Sequence, residues 1–411
     1  MMGRDDSSYI RVVELFAGVG GFRLGLESAS PRFKTIWADQ WEPIDPEQNA
    51  FKCYEYHFGG SGICICADIK DVIDQVPEHD LLVGGFPCQD YSVAKSGAKG
   101  IEGEKGSLWW QIEKVIRAHR PKCVVLENVD RILRSPSKQR GRDFAMILRT
   151  FYDARYMVEW RVINAADYGY AQRRRRTFII ALRNDTERFK ELATVTCISG
   201  SKGMREYLLK QSILSEAFPV QDTKGHRIGT FIDEISFGSM DEIFSSMKVD
   251  LLGSGLMMNG FVYSEELLPR KQKPIHLFEI LEQDVSEKYD LNPLDMDRWT
   301  YLKGEKTESR RRADGRSFVF SEGAVPFPDP LDRPARTMLT GEGTVSRSSH
   351  VVRDPNRGSL RILTPIECER LNGFPDGWTE MIPERYRYFT MGNALVVPIV
   401  KRIGKALSVI L

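Results

Sequence analysis

The residue best suited to covalent chemistry is Cys88, set in GGFPCQDYSVA behind an apolar run that reads as a strand and held by Pro87. A thiolate is a capable nucleophile near neutral pH when cations or amide dipoles stabilise it. Free cysteines more often pack as small hydrophobes. One placed between Pro and Gln-Asp, ahead of the Gly/Ser/Lys-rich stretch 95–107, is badly placed for a core, and that stretch can close over a substrate and exclude water. A second apolar run, KCVVLENV, delivers Glu127 and Asn128. A carboxylate emerging from such a strand is expensive to bury unless paired or protonated, so Glu127 is either a structural ion pair or an acid beside the nucleophile. A third string, GYAQRRRRTFII, runs Arg173 to Arg176 into another strand. A solvated basic turn is the plain reading of four arginines. Strand alternation instead sets Arg174 and Arg176 on one side and Arg173 and Arg175 on the other, so that one pair can face the site.

The elements that must carry these groups follow an α/β pattern. Candidate strands are Arg11–Leu15, Thr35–Ala38, Leu81–Gly84, Cys123–Leu126, Met157–Ile163 and Thr177–Leu182, and several end in the residues named above. Ligands in open α/β sheets bind just beyond the carboxyl ends of strands. The first strand runs into VVELFAGVGGFRLGLE, a glycine-rich turn with Gly18, Gly20 and Gly21 that opens a helix, where backbone and ligand can approach closely. A dinucleotide fingerprint asks for a third glycine where Arg23 stands, which disfavours a nicotinamide cofactor. Beyond the next strand Asp39, Gln40, Trp41 and Glu42 are placed to grip ribose hydroxyls and to stack on a base.

Composition bounds the alternatives. The 411 residues, 42% hydrophobic and 28% charged, contain no apolar run of the roughly 20 residues that span a bilayer, and the chain reads as soluble. The opening MMGRDDSSYI has charges where a secretion signal needs an apolar core, which points to the cytoplasm. Seven scattered cysteines do not make a disulfide framework, and Cys64 and Cys66 lack the partner pair of a zinc site, so no metal is expected. A formal net charge of +1 is silent on nucleic acid, because phosphate binding needs a local basic face.

Taken in order, FAGVGG, GGFPCQDYSVA, ENV, the QRRRR string, RILTPIECERLNGFPDGW and GNALVVP resemble the motifs of bacterial DNA cytosine-5 methyltransferases of restriction-modification or related defence systems. The resemblance covers about the first 185 and last 50 residues. It implies a Rossmann-like S-adenosylmethionine-dependent domain with a mostly parallel sheet, built from 1–185 and 357–411, and a smaller, irregular, β-containing target recognition domain over 186–356. It implies S-adenosylmethionine as cofactor, S-adenosylhomocysteine as product, double-stranded DNA as substrate, and a cognate restriction endonuclease or defence complex as partner. Phe16, Ala17, Gly18, Gly20, Gly21, Gln40, Trp41, Asp68, Ile69, Pro87, Leu108, Asn393 and Ala394 then match cofactor-lining positions. The family's ribose-binding glutamate is replaced by Gln40, leaving Gln40, Asp39 or Glu42 to take that part, and Asp68 reads equally well as a helix cap.

Cys88 and Glu127 match the family's nucleophile and its N3-binding acid, and Arg176, with Arg174 beside it, the arginines at the target cytosine. Gln89 and Ser92 follow the nucleophile toward DNA. In the second domain Arg310, Arg311, Arg312 and Arg316 are candidates for phosphate or guanine contacts, with a solvated loop as the alternative. Thr337 matches the family's threonine near the flipped base, or stabilises a turn. The implied reaction needs the base taken out of the stack. Three rivals are a transfer-RNA methyltransferase, which has no need of a 170-residue reading module, a silent DNA-binding scaffold, which has no need of Cys88, Glu127 and Arg176 together, and a nicotinamide-dependent oxidoreductase.

Overall fold

The computed structural model describes residues 9–60, 62–86, 108–135, 140–222, 225–233, 251–311 and 315–411. Pro87, Cys88, Gln89, Ser92 and Arg312 lie outside the described residues. Its strands are β1 (Ile10–Leu15), β2 (Phe33–Asp39), β3 (Cys64–Ile65), β4 (Leu81–Gly85), β5 (Cys123–Val129), β6 (Tyr156–Asn164), β7 (Arg175–Arg183), β8 (Val220–Gln221), β9 (Arg227–Phe231), β10 (Ser254–Met258), β11 (Phe261–Glu265), β12 (Leu268–Pro269), β13 (Lys306–Arg311), β14 (Ser317–Glu322), β15 (Val351–Arg353) and β16 (Leu360–Ile362). All six expected strands are present.

Ten of them form one sheet in the order β3-β2-β1-β4-β5-β7-β6-β10-β11-β9. Pairing is parallel from β3 through β5 and antiparallel from β5 onward, so β1 to β6 and β11 run one way and β7, β9 and β10 the other. The mostly parallel, Rossmann-like expectation holds. The apolar strands are continuous because both faces are covered. Val12, Val83, Val125 and Ile180 pack into one core, and Val13, Leu82, Val124 and Ile179 into the other, the two-residue period sorting the same strands between two layers.

The helix Gly21–Ala29 lies against the C-terminal helix Val397–Ile410, and the four-residue steps Leu395, Ile399, Ile403 and Leu407 are all buried. Gly25 permits that approach, since a Cβ there would press on Val400. The stretch 186–356 contributes to both parts of the molecule. Its strands β9 to β11 continue the large sheet across β6, whereas β8 with β12, β13 with β14, and β15 with β16 (which lies just beyond the stretch) make separate two-stranded ribbons. No helix among the described residues is long and apolar enough to cross a membrane.

Candidate active site

The carboxyl ends of β1, β2, β4 and β5 open onto one cavity of about 1620 Å³. The turn after β1 is bent by left-handed backbone at Phe16 (φ 55°), Gly18 (57°) and Gly20 (84°), so that Ala17, Gly18 and Val19 become part of its wall. Two side chains from the end of β2 hold this turn. Asp39 Oδ1 accepts the Phe16 amide at 3.2 Å, and Gln40 Oε1 accepts the Gly18 amide at 2.7 Å. Burial, with Asp68 nearby, pushes the Asp39 carboxyl up to about 8 against the opposing pull of the Phe16 amide. Trp41, exposed on one side, and Glu42 continue the wall, and Asp68, Ile69 and Leu108 complete it. Asp68 also caps its short helix through the Lys70 amide at 3.1 Å, so both readings of that residue describe the same side chain.

Glu127, Asn128, Arg175, Arg176 and Thr337 also line the cavity. Arg176 pairs across the sheet with Val129, which places it diagonally from Glu127, and Arg176 Nε meets Glu127 Oε1 at 2.8 Å. Asn128 is buried, and its Nδ2 donates to the Phe86 carbonyl at 3.2 Å. Phe86 follows β4, so this bond ties the exits of β4 and β5 together. Asn393 and Ala394 close the cavity from the C-terminal segment, with Thr390 one helical turn earlier.

The grouping of Arg174 with Arg176 is corrected by this geometry. Strand β7 begins at Arg175, so Arg174 is not bound by its alternation. It is buried away from the cavity lining and donates to the carbonyls of Met338 (2.9 Å), Gly392 (3.0 Å) and Asn393 (3.3 Å). Arg175, expected opposite Arg176, reaches the cavity rim and pairs with Asp130 at 3.0 Å. Thr337 lines the cavity while its hydroxyl donates to the Arg173 carbonyl at 2.6 Å. Gly20 is behind the lining, packed against Phe58, and Gly21 is on it. Arg310, Arg311 and Arg316 lie on the ribbon of β13 and β14, off the cavity wall, and Arg310 is held by Glu308. Phe320 and Glu322 of β14 line the cavity and were missed, because an isolated ribbon leaves no signal of what it faces. Thr390 had a signal: it stands three residues before Asn393 on one helix. Among the described residues no group of three or more His, Cys, Asp or Glu is placed to hold a metal.

The sequence model of the family described as C-5 cytosine-specific DNA methylase matches residues 10–409. The chain is 47% identical over 411 aligned residues to the type II methyltransferase M.Sau3AI of Staphylococcus aureus, covering 97% of this chain and 95% of that protein. It is 26% identical to the type II methyltransferase M.DsaV of Dactylococcopsis salina, over 97% and 86% of the two chains. The crystal structure of S. pombe Dnmt2 methyltransferase matches the fold with a TM-score of 0.57 at 15% identity, covering 98% of each chain.

Proposed function

The chain belongs to the C-5 cytosine-specific DNA methylase family and is a DNA cytosine-5 methyltransferase; we propose that it takes the methyl group from S-adenosylmethionine and acts on a cytosine swung out of a specific duplex sequence, through a covalent Cys88 adduct at C6. The observation that carries this reading is one cavity lined together by the glycine turn, Trp41, Asn393, Glu127 and Arg176.

The residues fit the cofactor. The turn at 16–20 offers backbone that can approach a ligand closely, Trp41 offers a ring for adenine, and Asp68, Ile69, Leu108, Asn393 and Ala394 supply the remaining wall. Asp39 and Gln40 hold the turn's own amides, and Glu42, beside Trp41 on the same wall, is assigned as the acidic group for the ribose. When bound, S-adenosylmethionine supplies an electrophilic methyl group, which C5 of cytosine acquires, with S-adenosylhomocysteine as the product.

C5 of cytosine is too poor a nucleophile to react unaided. The Cys88 thiolate adds its electron pair to C6, the C5–C6 double bond breaks, and electron density moves to C5. Glu127 engages N3 and stabilises the proton that N3 carries in the adduct, while Arg176 fixes the Glu127 carboxylate and contacts the cytosine carbonyl oxygen. Loss of the C5 proton re-forms the double bond and expels Cys88. Asn128 ties the strand end that carries Glu127 to Phe86 at the exit of β4. Arg311 and Arg316, at the tip end of the β13–β14 ribbon, and Thr337 at the wall contact the DNA backbone. The type II naming of the relatives supports a cognate restriction endonuclease as companion.

The test is transfer of labelled methyl from S-adenosylmethionine to unmethylated duplex DNA and to transfer RNA, by wild type and Cys88→Ala, followed by sequencing of the modified cytosines. Labelling of duplex DNA at one sequence, abolished in Cys88→Ala, is expected. RNA-only labelling, or undiminished transfer by the variant, would overturn the reading.

A further inference from the structure

The ribbon of β13 and β14 has two unlike faces. Its register pairs Lys306 with Glu322, Glu308 with Phe320 and Arg310 with Phe318, which places these six side chains on one face. The other face carries Thr307, Ser309 and Arg311 opposite Ser321, Val319 and Ser317 and is mostly polar, with the Thr307 and Ser321 hydroxyls 3.5 Å apart. From the first face Phe320 and Glu322 reach the cavity that holds Glu127, Arg176 and Thr337.

Phe320 is held from behind. The Arg310 guanidinium lies over its ring, 3.6 Å from the centroid. That guanidinium is fixed by Glu308 through Nε at 3.2 Å and Nη2 at 3.0 Å, and Glu308 in turn accepts the Tyr301 hydroxyl at 2.8 Å. At the base of the ribbon Glu322 pairs with Arg347 at 2.9 Å, and Arg347 donates to the Leu302 carbonyl at 2.7 Å. A ring ordered in this way shares the cavity with the carboxylate of Glu127, the guanidinium of Arg176 and the hydroxyl of Thr337. What suits it is a flat unsaturated ligand with a polar edge, a nucleobase, whose face stacks on the phenyl ring while its edge meets the charged groups.

We propose that Phe320 is the stacking surface for the extruded target cytosine, and that Arg310 serves as its support, not as a phosphate contact. The proposal rests on the methyl-transfer reading above and adds to it a residue that holds the base. Arg310 stacked behind the ring strengthens it as a platform through the attraction between cation and π-face.

The experiment uses the full-length enzyme and the duplex sequence that the wild type methylates. Binding is measured with S-adenosylhomocysteine present, for that duplex and for the same duplex with an abasic site at the target cytosine. Phe320→Ala is expected to weaken binding of the cytosine duplex by roughly 5- to 150-fold, the range of one base–aromatic stack. It is expected to leave the abasic duplex unchanged, while Phe320→Tyr holds both near wild type and cofactor affinity is the same throughout. Equal loss on both duplexes, or no loss on either, would overturn the proposal while wild-type methylation of duplex DNA left the enzyme's reading intact. Failure of the wild type to methylate any duplex would instead remove the premise.

Discussion

Glu127 and Arg176 meet at 2.8 Å on a cavity wall where each is largely shielded, so neither the ion pair nor the acid role has to be chosen over the other. The pair stabilises the carboxylate's position, and the carboxyl still faces the space where a base would enter. Glu127→Gln keeps the shape of the side chain and removes its proton chemistry. The chemical step is expected to slow by roughly 10²- to 10⁴-fold, the usual worth of a positioned acid or base. Single-turnover methyl transfer measures this, with cofactor affinity unchanged because Glu127 is held on β5 and Trp41 follows β2, with β1 and β4 between them in the sheet. A loss of cofactor binding equal to the loss in rate would mean that Glu127 shapes the cavity instead.

The elements are joined by Arg174 and its neighbours where the chain enters β7. Ala171 and Arg173 exchange backbone hydrogen bonds with Ala335, Gln172 Oε1 accepts the Met338 amide at 2.9 Å, and Arg174 gathers the carbonyls of Met338, Gly392 and Asn393. Gly392 allows this closeness, since a Cβ there would run into the Leu339–Thr340 backbone. One short segment therefore locks the large sheet, the loop that carries Thr337 and the end of the helix that carries Asn393. Arg174→Met removes the donors and leaves those buried carbonyls unsatisfied. It is expected to destabilise the protein by about 2 kcal/mol or more, and to raise KM for S-adenosylmethionine by freeing Asn393 and Ala394. Denaturant unfolding and initial rates test the two effects. A variant as stable as wild type with unaltered KM would show that the carbonyls are satisfied without it.

At the scale of the whole molecule, stability is bounded on two sides by buried carboxyls of opposite kind. Burial pushes Glu14 up to about 8 in spite of Tyr54 and Arg23, and pushes Glu159 up to about 7, and Asp39 behaves as Glu14 does. A group with a raised folded-state pKa contributes stability that is complete below its unfolded value, near 4, and is lost as pH rises through about 7 to 8. Asp329 has the opposite sense. Burial opposes its ionisation, but Arg336 at 2.6 Å and the Val351 amide outweigh it and hold the carboxyl below the usual range. Its contribution is present above the ordinary carboxylate pKa and is lost as pH falls through the depressed one. Tm is therefore expected to be highest in mildly acidic solution and to decline between about pH 5 and pH 8, the interval from the unfolded to the raised folded-state values. Glu14→Gln, which can still accept the Tyr54 hydroxyl, should flatten that decline and leave the acid limb alone. A pH series of thermal melts checks this, and an unchanged slope across that interval would count against Glu14.

The sequence alone determined what depends on near neighbours along the chain. Short β-branched apolar runs marked β1, β2 and β4 to β7, the four-residue steps of 395–407 marked the buried stripe of the last helix, and the order of the motifs marked the family. Trp41, Glu127 and Arg176 were expected at the site because each sits at the end of such an element, and strand ends in an α/β sheet converge on one edge, whereas Asp68 and Asn393 were expected through the family motifs. The tertiary structure decided the rest. Arg174 and Arg176 are two residues apart in one arginine run. One binds carbonyls contributed from 338 and 392–393, and the other binds Glu127 across the sheet. Which arginine does which follows from where segments more than 150 residues away in sequence pass beside β7, and local periodicity carries no record of that. Phe320 belongs to the same class: its alternation predicts a ribbon face, and only the packing of that ribbon against the sheet shows that the face looks into the cavity.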